Sequence, residues 1–163
     1  MNPRLIAVLI ILALLALVLG RGCAGPEEQI RRRIHELAAD FSTGRPGPTV
    51  SHLTDRFTDV ESGLGKGEIR GILAQMSLGD RTDDGTFLHR LSFPDESIVI
   101  TLDEDEPTRA RVECIGVFEI RGRRDESWKL QWRVALTGRV KESDDGWQLD
   151  RVERRTLEGR PFR

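Results

Sequence analysis

The chain has 163 residues, of which 38% are hydrophobic and 32% charged, with a formal net charge of −2 at pH 7. So mild a charge balance argues against a general nucleic-acid binder. Residues 26–163 have the length of one domain and provide enough chain for a hydrophobic core.

The N-terminal segment is apolar. Arg4 is the only charged side chain before Arg21, and residues 5–20 between them carry no charge. A positive start followed by a short apolar run is typical of a secretory signal. As a helix the run would span about 24 Å, which is shorter than a bilayer core of about 30 Å. Snorkelling by Arg4 and Arg21 or local thinning of the bilayer could make up the difference, so an uncleaved membrane anchor remains one of the alternatives. We expect residues 1–25 to be a signal peptide or membrane anchor and residues 26–163 to be the exported domain.

Cys23 follows the apolar run and is a candidate for lipidation. Gly22 supplies the small residue that precedes the cysteine in a bacterial lipoprotein, although Arg21 departs from that pattern. Cleavage after Ala24 would fit the small-x-small rule of signal peptides. Lipidation, cleavage and a retained anchor all send the domain across a membrane, so we expect an inner-membrane protein facing the periplasm or a periplasmic one. Cys114 is the only other cysteine, so no disulfide is expected.

Three helices are predicted at the start of the domain. Pro26 suits the first helical position, and Gly44 is a good helix end. A short second helix is expected after the turn-rich residues 44–48, and a third over residues 66–78. The side chains expected to face the core are Val50, Leu53 and Phe57 in the second helix, and Ile69, Ile72, Leu73 and Met76 in the third.

Extended segments follow, because the apolar period changes from helix to strand. They are predicted at residues 86–102, 108–121, 128–140 and 147–157. Pro94 should break the first segment, since proline cannot donate to a ladder. In a regular strand Trp147 and Leu149 would face one side of the sheet and Val152 the other. Because all three are apolar, we predict a bulge near Asp150 that brings them to the same face.

The two middle segments alternate between apolar and polar residues. Their inward-facing residues would be Ala110, Val112, Cys114, Gly116, Phe118 and Ile120, and then Trp128, Leu130, Trp132, Val134, Leu136 and Val140. Helices followed by an antiparallel meander give an α+β fold. We therefore predict three N-terminal helices packed on one curved antiparallel β-meander, preceded by the apolar signal or anchor helix.

This order of elements, with "PEEQIRRRIHELA" in the first helix and a closing "DDGWQLDRVE", resembles the nuclear transport factor 2-like superfamily. That is the cone-shaped α+β fold shared with ketosteroid isomerase, and the chain is most similar to its small exported bacterial members. The resemblance covers about residues 26–158 and rests on element order rather than on a sharp motif. It implies a pocket between the sheet and the helices.

The residues offer candidates for that pocket but no catalytic signature. Enzymes of the superfamily use a tyrosine with a carboxylate or histidine, and this chain has no Tyr, so no such site transfers. The candidates are His89, Cys114, Trp132 and Glu153. His89 could act as an acid or base or be a partly buried or rim histidine with a backbone partner, and Cys114 is expected to be a small core residue. The three histidines lack metal-ligand spacing, so no metal site or cofactor is predicted.

The turns predict a separation of charge, because alternate turns of a meander lie at opposite ends. The acidic residues 103–106 and 142–145 would share one end, and Arg121, Arg123 and Arg124 would occupy the other. Three arginines of the last strand are expected to approach the same basic end: Arg151, Arg154 and Arg155. This end could bind an anionic partner or a membrane headgroup surface, or consist simply of solvated turns.

The sequence favours a non-catalytic cell-envelope domain that binds a small molecule or a protein partner, because a leader is present and the tyrosine is missing. The alternative is a small-molecule isomerase, dehydratase or hydrolase that uses His89 or Glu153 as a base. Membrane contact would run through the N-terminal segment if it is retained or lipidated. Dimers are common in the superfamily, but Ile115, Val117 and Ala135 are the only apolar patch on the outer sheet face, so the support for a homodimer is weak.

Overall fold

The computed structural model describes residues 24–124 and 126–161. The predicted leader helix and Cys23 lie outside these residues, so the signal or anchor at residues 1–25 and the division of the chain stay predictions. Within the described ranges, none of the helices has the length and apolar character needed to cross a membrane.

The domain is α+β, with three helices and a six-stranded, mostly antiparallel sheet. The helices are α1 (Pro26–Ser42), α2 (Pro46–Ser51) and α3 (Lys66–Gly79). The strands are β1 (Leu53–Asp59), β2 (His89–Ser92), β3 (Val99–Leu102), β4 (Arg109–Ile120), β5 (Lys129–Ser143) and β6 (Gly146–Gly159). Their order is β1-β6-β5-β4-β2, with β3 also paired to β4. The pair formed by β1 and β6 is parallel.

The first strand was not predicted. Leu53 and Phe57 are buried as expected, but they lie in β1 and not in an extended second helix. A spacing of four residues keeps two side chains on one face in both a helix and a strand, so the pattern did not distinguish them. Pairing with β6 decides the conformation, since Leu53 lies opposite Leu149.

The third helix is confirmed, but one of its side chains was assigned to the wrong side. Ile69, Leu73 and Met76 pack against the core, whereas Ile72 is 44% exposed. No side chain of α3 is fully buried. The helix therefore covers the rim of the core instead of its centre.

The predicted irregularities of the sheet are confirmed at two positions. Pro94 separates β2 from a single 3-10 turn, Asp95–Ser97, that leads into β3. In β6 the register steps over Asp150, because Val140 lies opposite Leu149 while Arg139 lies opposite Arg151. The resulting bulge keeps inner-face side chains on the same side before and after it.

A second bulge was missed. Phe118 lies opposite Trp132 but Glu119 lies opposite Leu130, so Gln131 is the extra residue in β5. A one-residue slip moves a side chain to the other face. Leu130 was therefore placed wrongly on the inner face and is 43% exposed.

The predicted separation of charge holds only in part. Arg109 lies opposite Lys141, which brings the two acidic turns at residues 103–106 and 142–145 to one end as expected. However, Arg151 lies opposite Arg139, and Arg154 and Arg155 lie opposite Leu136 and Ala135 in the body of the sheet. The prediction that Arg151, Arg154 and Arg155 approach the basic end is wrong, because the pairing of β6 with β5 sets their position.

The main core lies between α1 and the inner face of the sheet. Ile30, Ala38 and Phe41 of α1 pack against alternate residues of β4, including Ala110 and Val112. A smaller apolar cluster around Val50, Leu53 and Phe57 joins α2, β1 and α3. Gly44, with φ of 65°, ends the α1 segment in a left-handed conformation that favours glycine.

Candidate functional site

A small cavity lies between α1 and the inner faces of β4, β5 and β6, and we call it the central cavity. Its volume is about 70 Å³. A cavity needs about 10–15 Å³ to hold one water molecule, so the central cavity has room for roughly five non-hydrogen atoms. Most of its lining is apolar and includes Ile30, Ile34, Leu37, Val112, Val140 and Leu149.

Gly138 of β5 helps to keep this space open. It lines the cavity, and a Cβ added there would meet Cδ1 of Leu149 at 2.8 Å. A side chain at this position would therefore push Leu149, which also lines the cavity, out of its place. The glycine costs strand stability and leaves a gap in the inner face of the sheet.

His52 is the polar residue most deeply placed in the lining. It follows α2 and is 3% exposed. Its Nε2 lies 2.9 Å from Oδ2 of Asp40, and Arg45 binds the other oxygen of the same carboxylate at 2.8 Å. When Nε2 carries the proton that Asp40 accepts, the neutral ring presents Nδ1 as a hydrogen-bond acceptor. Nδ1 is buried and has no partner among the described residues.

Trp147 supplies the complementary group. It lies at the start of β6, lines the cavity and is 3% exposed. Its Nε1–H, which can only donate, is buried without an acceptor in the part of the chain that the structure describes. An apolar cavity is thus lined by two residues that carry an unpartnered donor and an unpartnered acceptor.

Cys114 of β4 also lines the cavity. Burial raises the pKa of its thiol to about 12, because the apolar surroundings disfavour the charged thiolate. The thiol is therefore neutral at physiological pH and is a weak nucleophile.

The structure brings only one of the four sequence-predicted pocket residues to the cavity, and that residue is Cys114. His89 is 4% exposed and lies 2.9 Å from Oδ2 of Asp80, away from the cavity lining. Trp132 stacks on Phe118 and donates to Oγ1 of Thr156 at 3.0 Å. Glu153 lies on the opposite face of the sheet, 3.4 Å from Arg151.

Arginines of the predicted basic end make contacts within the domain. The Arg121 guanidinium group lies 5.3 Å from the centre of the Trp128 ring, and that of Arg90 lies 4.6 Å from it. Arg123 donates to the carbonyl oxygen of Gly79 at 3.0 Å, and Arg124 is exposed in the turn. Two of the three predicted arginines thus have partners within the domain. Across the described residues, no cluster of His, Cys, Asp and Glu has the arrangement to hold a metal ion.

Comparison with solved structures gives consistent matches at low sequence identity. A nuclear transport factor 2-like protein with a cystatin-like fold from Novosphingobium aromaticivorans has a TM-score of 0.60 and 16% identity, over 92% of this chain and 90% of that one. A scytalone dehydratase-like protein from the same organism has a TM-score of 0.62 and 16% identity, over 79% and 82% of the two chains. ActVI-ORFA from Streptomyces coelicolor has a TM-score of 0.65 and 9% identity, over 82% and 98%.

The fold is that of the nuclear transport factor 2-like superfamily. No protein-family model matches the sequence, and no curated protein matches it significantly. At 9–16% identity the structural matches show the fold alone. The nuclear transport factor 2-like fold accounts for the position of the cavity between helix and sheet, while its chemistry depends on the residues of this chain.

Two residues of the site, His52 and Trp147, were not among the pocket residues predicted from the sequence. No role was predicted for His52, because nothing near it in the sequence indicates that β6 passes beside it. The contact is made through the backbone, where the Leu149 N–H donates to the His52 carbonyl oxygen at 2.8 Å. The carboxylate of Asp40 could have indicated a partner for His52. However, Asp40 and His52 are twelve positions apart, and the conformation of the turn between them decides whether they form a hydrogen bond.

Proposed function

We propose that this chain is a non-catalytic cell-envelope protein whose nuclear transport factor 2-like domain binds a small, mostly apolar molecule with one polar group. Binding would take place in the central cavity. Export rests on the apolar leader at residues 1–25, and the polar group of the ligand would be one that both donates and accepts. The protein partner and the homodimer stay predictions.

The two unpartnered nitrogen atoms carry this proposal. A buried donor or acceptor without a partner costs about 1–3 kcal/mol, and Trp147 Nε1 and His52 Nδ1 are both in that position. A ligand that accepts from Trp147 and donates to His52 would recover that cost. Arg33 also lines the cavity, and its guanidinium group donates to the carbonyl oxygens of Trp147 and Asp145. The rest of the lining is apolar and favours an apolar body for the ligand.

Two features favour binding over catalysis. The chain has no Tyr to polarise a substrate in the manner of the related enzymes, and no carboxylate lines the cavity among the residues that form it. Cys114 is neutral because its pKa is raised to about 12, so it does not supply a nucleophile at neutral pH.

The test uses pyrazole, a ring of five non-hydrogen atoms with one N–H donor and one nitrogen acceptor. In nitrogen-15 NMR spectra, pyrazole should shift the indole N–H signal of Trp147 and leave that of Trp132, which already donates to Thr156. Gly138→Ala should weaken the response, since the added methyl displaces Leu149. Gly116→Ala is the matched control, on the inner face of the neighbouring strand and outside the cavity lining. The proposal would be contradicted if the Trp147 indole N–H signal did not shift at a high concentration of pyrazole. It would also be contradicted if Gly138→Ala and Gly116→Ala weakened the response of that signal equally.

A second candidate function is proton abstraction from a small carbonyl compound, as in an isomerase. The favouring observation is the pair formed by His52 and Asp40, because a histidine held by a carboxylate can act as a general base. His52 Nδ1 would take a proton from the carbon beside the carbonyl, while Trp147 Nε1–H would donate to the developing oxyanion.

Acetone in heavy water tests this candidate, since reversible proton removal replaces its methyl protons with deuterium. The wild-type protein should accelerate the exchange, and His52→Gln should remove the acceleration. An exchange rate equal to that of buffer alone would leave the binding function as the better account.

A further inference from the structure

A row of three arginines crosses the outer face of the sheet. Arg111 of β4 lies directly opposite Arg139 of β5, and Arg139 lies directly opposite Arg151 of β6. All three side chains are exposed, and we call them the arginine row. Like charges directly opposite each other on neighbouring strands destabilise a sheet, so the row works against the stability of the fold that carries it.

The outer members of the row have carboxylate partners, whereas the middle member has none. Arg111 lies 2.8 Å from Glu113 and Arg151 lies 3.4 Å from Glu153, in each case two residues further along the same strand. Arg139 makes no ion pair or side-chain hydrogen bond with any residue in the ranges 24–124 and 126–161. Its planar guanidinium group therefore keeps its donors available for a ligand.

The row borders a concave surface. Arg111 and Arg139 line a groove of about 590 Å³, which is within the usual range of about 300–1,000 Å³ for small-molecule sites. Three further cations line the same groove: Arg56, Arg109 and Lys141. Five cationic side chains from three strands thus converge on one space, which suits a ligand with more than one negative charge.

Carboxylates on both sides limit the size of that ligand. Asp103 and Asp150 line the groove at the end near the acidic turns. Glu113 and Glu153 line a neighbouring groove on the other side of the row. A nucleic-acid backbone or a flat bilayer would bring its phosphates against these acids, whereas a compact anion could lie at Arg111 and Arg139, between the two pairs of acids.

We propose that the groove binds a compact, multiply charged oxyanion, such as a diphosphate or a di- or tricarboxylate, with Arg139 as its main ligand and Arg111 beside it. A guanidinium group binds such oxyanions through two parallel hydrogen bonds. The bound anion would also neutralise the repulsion within the arginine row.

Pyrophosphate is the test ligand for the purified full-length chain at low ionic strength, because exposed charges are screened by salt. Calorimetric titration should detect binding, and the thermal midpoint should rise with pyrophosphate concentration. Arg139→Gln should weaken the affinity by about tenfold or more, as expected for the loss of charge-assisted hydrogen bonds. Its thermal midpoint without anion should equal or exceed that of the wild type, since removing the middle charge relieves repulsion.

Arg133→Gln is the matched control. Arg133 lies on the same strand and the same face, is exposed and does not line the groove. Equal weakening by both substitutions would overturn the proposal, because it would indicate a general charge effect. A lower thermal midpoint of Arg139→Gln with unchanged pyrophosphate affinity would overturn it too, because the arginine would then be structural.

Vesicles that contain phosphatidic acid distinguish the source of the anion. Binding of free pyrophosphate in the absence of lipid supports the proposal, and binding to the vesicles with no response to pyrophosphate would overturn it in favour of a membrane surface. The arginine row lies on the face opposite the central cavity, so this result does not depend on the function proposed for the cavity.

Discussion

Cys114 lies in the lining of the central cavity, and burial raises the pKa of its thiol from an ordinary value of 9.0 to about 12. The folded protein therefore keeps this proton at a pH where the unfolded chain has lost it. Its contribution to stability is complete below pH 9 and is lost progressively as the pH rises towards 12, because the unfolded state binds fewer protons.

Replacing Cys114 with alanine should remove this alkaline loss of stability. Between pH 8 and pH 10 the free energy of unfolding of the wild type should fall by roughly 1.4 kcal/mol more than that of Cys114→Ala. Urea denaturation at a series of pH values measures the difference, and subtraction of the two curves cancels the titration of other groups. Parallel curves for the two proteins would show that the thiol is not desolvated in the folded state.

His52 shows why the site is harder to predict than the fold at the scale of single residues. Its importance comes from Asp40, which binds one ring nitrogen, and from β6, whose Leu149 binds the His52 backbone where the residue lines the cavity. Neither contact is visible in the residues next to His52. His89, by contrast, alternates with other inward-facing residues of its strand and is 4% exposed, but this alternation does not indicate which buried side chains line a cavity.

The elements that were predicted correctly have local causes. Pro26 marks the start of α1, and the strict alternation of β4 identifies its buried face. The change of parity between Leu149 and Val152 indicated the bulge at Asp150. β1 was missed because its conformation depends on pairing with a strand almost a hundred residues later, as in the bond from Thr54 to Asp150, which are 96 positions apart.

The bulge in β6 is expected to be essential for the core. Deleting Asp150 would shift the register by one residue, so either Trp147 and Leu149 or Val152 would turn to the outer face. Moving Trp147 and Leu149 out of the core should cost about 3–6 kcal/mol, at roughly 1.5–3 kcal/mol for each side chain. The free energy of unfolding in urea measures this.

Deleting Glu104 is the control for that experiment. This residue is exposed in the turn between β3 and β4, where changes of loop length are well tolerated. Similar stability of both deletion variants would mean that the chain accommodates a flat β6 and that the bulge has no role in packing.

At the scale of the whole molecule, the α+β class and the nuclear transport factor 2-like fold followed from the order of elements, which is a property of the entire domain. The distribution of charge could not be predicted from the order of elements, because it depends on the strand register, which places Arg151 opposite Arg139. The proposed function at this scale depends on export, and the proposal of export rests on the apolar residues 5–20.

Export can be tested directly by fractionating the cells that make the protein. The chain should be recovered with the membrane or the periplasm, and its intact mass should distinguish three outcomes. These are a full-length anchored chain, a lipidated chain beginning at Cys23, and a free domain beginning at residue 25. Recovery of the full-length chain in the cytosol would contradict the proposed localisation.

The parallel pairing of β1 with β6 also has a consequence for the time course of folding. β1, the first strand of the domain, is hydrogen-bonded in the sheet only to β6, which is synthesised after the other five described strands. A nascent chain without β6 lacks Trp147, Leu149 and the backbone partner of His52, so it has no closed cavity. Contacts this distant in sequence slow folding. A ribosome-bound fragment of this protein should therefore leave β1 unpaired until β6 emerges, and under the proposed export this late closure would favour passage through a narrow channel before the domain is complete.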